Sequence, residues 1–206
     1  MASPQTLLQI AGAPLNPSPL DKSALVIIDA QAEYTRGKLP LEGVDAAIVE
    51  ALKLLTLARN SGVPVFHIVQ HAPSGRPLFA EDGPTAAIVP LLTPAAGEVV
   101  VRKNLPNAFA GTDRDALGKS TGRIELILAG FMTHMCVSAT ARAALDLKYR
   151  TTVVANATAS RDLPDPLGGT IPGSVVHRVA LSELADRFAI VVKDTAALTA
   201  GAKAVA

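Results

Sequence analysis

The run Ala24-Leu25-Val26-Ile27-Ile28 constrains the fold more than any other stretch of this chain. Five successive apolar residues leave a β-strand no polar face, so both faces of its sheet must be covered. Further strands are expected at Val63–Val69, Glu98–Val101, Ile124–Ala129, Thr151–Ala155 and Phe188–Val192. Helical patterns lie between them. Val44, Ile48, Ala51, Leu55 and Ala58 share one helical face, and Gly62-Val63-Pro64 stops that helix. Val137, Ala141, Ala144 and Leu145 mark a second helix. A third spans about Gly173 to Asp186, with Val175, Val179 and Leu184 among its apolar positions. A short helix is expected over Asp113–Lys119, with Thr112 as its N-cap. Ala72 to Gly97 is rich in Pro and Gly and reads as a long loop holding a short helix. Strand and helix in alternation predict an α/β fold: a doubly wound, mostly parallel six-stranded sheet with helices on both faces. A length of 206 residues suits one such domain over residues 21–206. Residues 1–20 form a Pro-rich arm that lies over the surface or reaches toward a partner subunit.

Composition narrows the function. Charged residues are 18% of the chain, net charge is +1, and Lys and Arg are dispersed, so no basic stripe offers itself to nucleic acid. No apolar run approaches the roughly 20 residues that span a bilayer. The opening residues carry four prolines through Pro19 and no basic segment, unlike a signal peptide. The single cysteine allows no internal disulfide, which suits a reducing, cytoplasmic setting. That cysteine is therefore either a small buried hydrophobe or the chemistry itself.

Parallel α/β sheets bind ligands beyond the carboxyl ends of their strands, where the winding reverses. The first strand ends in Asp29-Ala30-Gln31, the third runs into Arg102-Lys103-Asn104, and the fourth runs through Gly130-Phe131-Met132-Thr133-His134-Met135 to Cys136. A carboxylate, an ammonium and a thiol thus share one edge of the sheet. A thiol opening a helix sits at the positive end of the macrodipole, which favours thiolate. Backbone N–H groups there can hold an oxyanion. A nearby carboxylate can take and return a proton, and a lysine can balance both charges. Each residue also has a plain structural reading: core packing for Cys136, a turn for Asp29, a solvated charge for Lys103.

Three segments resemble the isochorismatase-like superfamily: Ala24-Leu25-Val26-Ile27-Ile28-Asp29-Ala30-Gln31, then Lys103-Asn104-Leu105-Pro106-Asn107-Ala108-Phe109 followed by Gly111-Thr112, then Gly130 to Val137. Ala157-Thr158-Ala159-Ser160 is similar too, and the likeness runs from about Lys22 to Val192. The resemblance implies an Asp29, Lys103, Cys136 triad and a non-proline cis peptide at Met132–Thr133. It implies an oxyanion site on the N–H groups of Thr133 and Cys136, with Gln31, Tyr34 and Phe109 as pocket neighbours. Members that hydrolyse the vinyl ether of isochorismate usually lack the cysteine, so Cys136 implies hydrolysis of a C–N bond in a small amide or ureide. The resemblance also implies a homo-oligomer, dimer or tetramer.

Some residues depart from the family pattern. Asn107 stands where many relatives have serine, and Lys148 where glycine often closes the nucleophile helix. Metal-binding nicotinamidase relatives carry Asp-x-His after the second strand. Here Phe66-His67-Ile68-Val69-Gln70-His71 lacks that Asp, and no metal or other cofactor is expected. His67 reads as a core histidine and His71 as a residue of the pocket mouth. Two alternatives remain: ether hydrolysis run by Asp29 without covalent catalysis, and a non-catalytic redox-sensing or ligand-binding protein. A dinucleotide-binding oxidoreductase is disfavoured, because no Gly-x-Gly-x-x-Gly follows the first strand.

Overall fold

The computed structural model describes residues 3–111 and 121–200. Strand β1, Ser23–Ile28, is buried along its whole length, as its unbroken apolar run demands. Leu25 and Ile27 pack to one side of it, and Ala24, Val26 and Ile28 to the other. The remaining sheet strands are β2 (Val65–Gln70), β3 (Val99–Lys103), β4 (Glu125–Phe131), β5 (Arg150–Ala159) and β8 (Ile190–Val192). They stand in the order β3-β2-β1-β4-β5-β8, and every pairing is parallel. The chain winds outward one way through β1, β2 and β3, then the other way through β4, β5 and β8. The winding reverses between β1 and β4, which opens a crevice at their carboxyl ends.

Helix α2 (Val44–Asn60) covers one face, burying Ala47, Ile48, Ala51, Leu54, Leu55 and Ala58. Helices α3 (Ser138–Asp146) and α4 (Gly173–Arg187) cover the other, through Ala141, Ala144 and Leu184. Several boundaries differ from the sequence reading. β2 starts two residues late, because Val63 N–H closes α2 on Ala58 O and Pro64 has no N–H to give. β3 extends to Lys103, so the lysine ends the strand rather than following it. β5 reaches Ala159 by pairing Thr158 and Ala159 with Gly130 and Phe131 after a register shift.

The short helix in the loop is a 3-10 turn at Pro90–Leu92. The helix expected over Asp113–Lys119, with its Thr112 cap, lies outside the described residues. Three elements had no strong sequence signal: α1 (Leu7–Ile10) in the arm, a small antiparallel hairpin of β6 (Leu163–Pro164) with β7 (Thr170–Ile171), and α5 (Ala196–Ala200). The arm lies on its own domain. Leu7 N–H donates to Asp186 Oδ1 at 2.8 Å, and Ser18 N–H to Thr152 Oγ1 at 2.8 Å. Among the described residues, no helix is long and apolar enough to cross a membrane.

Candidate active site

Asp29 leaves the end of β1 with φ 48°, a left-handed conformation rare outside glycine. Its N–H donates to Ile68 O at 2.8 Å, which ties the bend to β2. Lys103 ends β3 two strands away, beside Gln70 in the parallel register. Its long side chain crosses the end of β2 to reach Asp29. Cys136 follows β4 through a tight passage. Gly130 takes φ 107°, and a Cβ there would stand 1.9 Å from Ile28 O, so only glycine lets β4 lie against β1. A π-helical turn then runs Thr133–Val137, with Val137 N–H on Met132 O at 3.2 Å, and continues into α3. Such turns recur at functional sites because the extra residue redirects side chains. The cis peptide lies at Phe131–Met132, one residue before the implied Met132–Thr133 position. It lies between the end of β4 at Phe131 and the start of the turn at Thr133.

The three side chains meet. Lys103 Nζ lies 2.7 Å from Asp29 Oδ2 and 3.3 Å from Cys136 Sγ, and 2.7 Å from Gln70 Oε1. The Asp29 and Lys103 side chains are fully buried, and Cys136 is 5% exposed. Asp29 Oδ1 has no hydrogen-bond partner among the described residues. Burial pushes the Asp29 carboxyl up, against the pull of the Lys103 ammonium. Burial and the Asp29 charge push the Cys136 thiol up to about 12, with Lys103 opposing them. The helix end favours thiolate, and loss of water and the neighbouring carboxylate oppose it. In this arrangement burial raises both the thiol and the neighbouring carboxyl.

Tyr34 is buried, packs edge-on against Phe79 and Phe131 at 5.5 and 5.7 Å, and has its hydroxyl raised by burial and by the charges of Asp29 and Cys136. Two expected pocket residues are engaged by the protein's own groups. Gln31 donates to Gln70 O and Ala86 O and accepts from Gln70 N–H, so backbone groups take both its N–H bonds. Phe109 stacks on Tyr149 at 5.9 Å within the core cluster of α3 and α4, and its N–H donates to Asn107 Oδ1 at 2.9 Å. Met132 and Thr133 are both buried at the nucleophile turn, and Thr133 Oγ1 lies 2.8 Å from His177 Nδ1. His67 is buried in β2 with Nε2 2.8 Å from Glu98 Oε2. His71 pairs with Glu81 at 3.1 Å and lines a cleft of about 270 Å³ with Gln31 and Gln70. Among the described residues, no three His, Cys, Asp or Glu side chains gather as a metal ligand set.

Four further residues group around these: Gln70 and Arg161, which sequence reasoning did not single out, and His134 and Ser160, which lie in family-like segments but were given no role. Gln70 touches Lys103. His134 Nδ1 lies 3.0 Å from Ser160 Oγ, and its buried Nε2 has no partner among the described residues. Arg161 acts electrostatically on both Tyr34 and His134, and its buried Nε is likewise unpartnered. Alternation and spacing locate strands and helices, and they do not show which loop returns beside which strand end.

The isochorismatase domain model matches residues 23–196. A secreted isochorismatase effector of Verticillium dahliae is 36% identical over 181 residues, spanning 88% of this chain and 93% of the relative. Maleamate amidohydrolase of Pseudomonas putida is 36% identical over 152 residues, 65% of this chain and 70% of that enzyme. The crystal structure of an isochorismatase from Pseudomonas putida KT2440 matches with a TM-score of 0.87 at 39% identity, covering 93% of this chain and 97% of that one.

Proposed function

The chain belongs to the isochorismatase family, and on that premise we propose that it is a cysteine hydrolase cleaving a C–N bond of a small amide or ureide through a thioester on Cys136. One observation carries the reading: Cys136 Sγ, Lys103 Nζ and Asp29 Oδ2 form a continuous buried chain of contacts at 3.3 and 2.7 Å. The similarity to maleamate amidohydrolase supports the bond type.

Asp29 accepts the thiol proton as Sγ attacks the carbonyl carbon and the C–S bond forms. The carbonyl oxygen takes the negative charge and rests on the N–H groups of Thr133 and Cys136, at the start of a helical turn where such donors lack helical partners. Asp29 returns the proton to nitrogen, the C–N bond breaks and the amine leaves. Water then adds to the thioester and gives a proton to Asp29. The C–S bond breaks, releasing the acid and restoring the thiol. Lys103 balances charge on Asp29 and on sulfur throughout.

The rival within the family is vinyl-ether hydrolysis on Asp29 alone, which the near full-length similarity to the Verticillium effector keeps in play. Ammonia release from a panel of small amides and ureides, with isochorismate in parallel, separates the two. Amide turnover that Cys136→Ala abolishes, with an acyl adduct on the wild type by intact mass, is the expected result. Amide turnover persisting in Cys136→Ala sinks the thioester mechanism. Isochorismate turnover indifferent to the substitution replaces it with the ether reaction.

A further inference from the structure

A buried ammonium has three N–H bonds to place, and Lys103 places all three: on Asp29 Oδ2 at 2.7 Å, Gln70 Oε1 at 2.7 Å and Cys136 Sγ at 3.3 Å. Two of those acceptors belong to the proposed machinery, and Gln70 does not. Its task follows from the unequal strength of the other two. A carboxylate is a much stronger acceptor for an ammonium than a thiol sulfur. With Asp29 and Cys136 alone, the ammonium is free to turn about its last carbon–nitrogen bond and slide toward the carboxylate. A third acceptor in a fixed direction locks that rotation and keeps one N–H on sulfur.

The direction of Gln70 is itself enforced. Strand pairing sets Gln70 beside Lys103. Gln31 then grips the backbone of Gln70 from the other side, accepting from its N–H at 2.8 Å and donating to its carbonyl at 3.0 Å. The same Gln31 amide donates to Ala86 O at 2.7 Å, which anchors the grip to the following loop. Gln31 is 1% exposed, and both N–H bonds of its amide are taken by backbone carbonyls.

We infer that Gln70 is a positioning residue that aims the Lys103 ammonium at Cys136 as well as Asp29, and that Gln31 acts through Gln70 by holding its backbone. Two glutamines outside the triad thereby set the reactivity of the thiol.

The inference concerns the site of the cysteine-hydrolase reading, and its test needs no substrate. Alkylation of Cys136 by iodoacetamide is followed against pH by intact mass in the full chain. The variants are Gln70→Met, Gln70→Ala, Gln31→Met and the Gln31→Met/Gln70→Met double. Methionine keeps the side-chain length and removes the acceptor, and alanine removes it without demanding space. Either Gln70 variant is expected to label about tenfold more slowly than wild type near pH 9, the effect of a thiol one unit harder to ionise, with an unchanged circular dichroism spectrum. Gln31→Met is expected to slow labelling less, and the double variant to match Gln70→Met within about twofold, as two members of one relay should.

Folded Gln70 variants that label like wild type or faster overturn the positioning role. A double variant whose loss equals the product of the single losses overturns the relay through Gln31. A purely structural role would lower the melting temperature and leave the labelling profile in place. If Gln31→Met does not fold, the two Gln70 variants still decide the first claim. A failed amide screen leaves this test untouched, and a failure here leaves the amide chemistry standing.

Discussion

At the residue scale, the state of Cys136 is the outcome of a contest. Lys103 favours the thiolate, while burial and Asp29 push the thiol up to about 12. Wild-type alkylation is therefore expected to climb from about pH 7 to about pH 10 without levelling, because the thiolate fraction keeps growing below the thiol pKa. Asp29→Asn removes the opposing charge and leaves Lys103 beside the sulfur, so it should label faster than wild type near pH 8 while losing turnover. A wild-type plateau near pH 8, or slower labelling in Asp29→Asn, would contradict this electrostatic account. Asp29, Lys103 and Cys136 were legible as candidates because each stands at a strand end, and a parallel sheet sends those ends to one edge. Gln70 was not legible, since nothing in its own segment marks contact with a lysine 33 residues later. Gln31 was legible as a site neighbour and misread in role, because residue type does not show that backbone groups already take its amide.

At the element scale, helix α3 ends in a Schellman arrangement: Tyr149 N–H meets Ala144 O and Lys148 N–H meets Leu145 O, both at 2.9 Å. Lys148 holds the left-handed position at φ 67°, where glycine is at home. A side chain there costs about 1–2 kcal/mol, partly offset by the greater unfolded freedom of glycine. Lys148→Gly should therefore raise stability by about 0.5–1 kcal/mol in urea unfolding, with labelling of Cys136 unchanged. A stability loss would mean that the Lys148 side chain makes compensating contacts. Strand and helix positions were readable from periodicity. The π-helical turn at Thr133–Val137 was not, because it inserts an extra residue without changing the apolar spacing of α3 behind it.

At the scale of the whole molecule, one network ties distant segments together. Arg59 of α2 grips Glu98 with two contacts at 2.7 and 2.9 Å, Ala95 N–H adds a third at 2.8 Å, and His67 of β2 meets the same carboxylate. These donors pull Glu98 down from 4.5 to about 2, against the effect of its burial. A carboxyl depressed on folding adds stability that is present above the unfolded value near 4.5 and lost as pH falls through about 2. Glu98→Gln should flatten that acid limb of the melting temperature and cost on the order of 2 kcal/mol at neutral pH. An unaltered acid limb would place the acid sensitivity elsewhere. Sequence by itself determined the α/β class, the alternation of buried strands and covering helices, and the sheet edge at which Asp29, Lys103 and Cys136 meet. Those follow from apolar periodicity and chain handedness, which are properties of neighbouring residues. Only the tertiary structure decided that Gln70 faces Lys103, that Phe109 stacks inside the core, that the cis peptide falls at Phe131–Met132, and that burial raises the thiol. Those depend on register, loop return and the exclusion of water, which exist only when segments far apart in the chain are brought together.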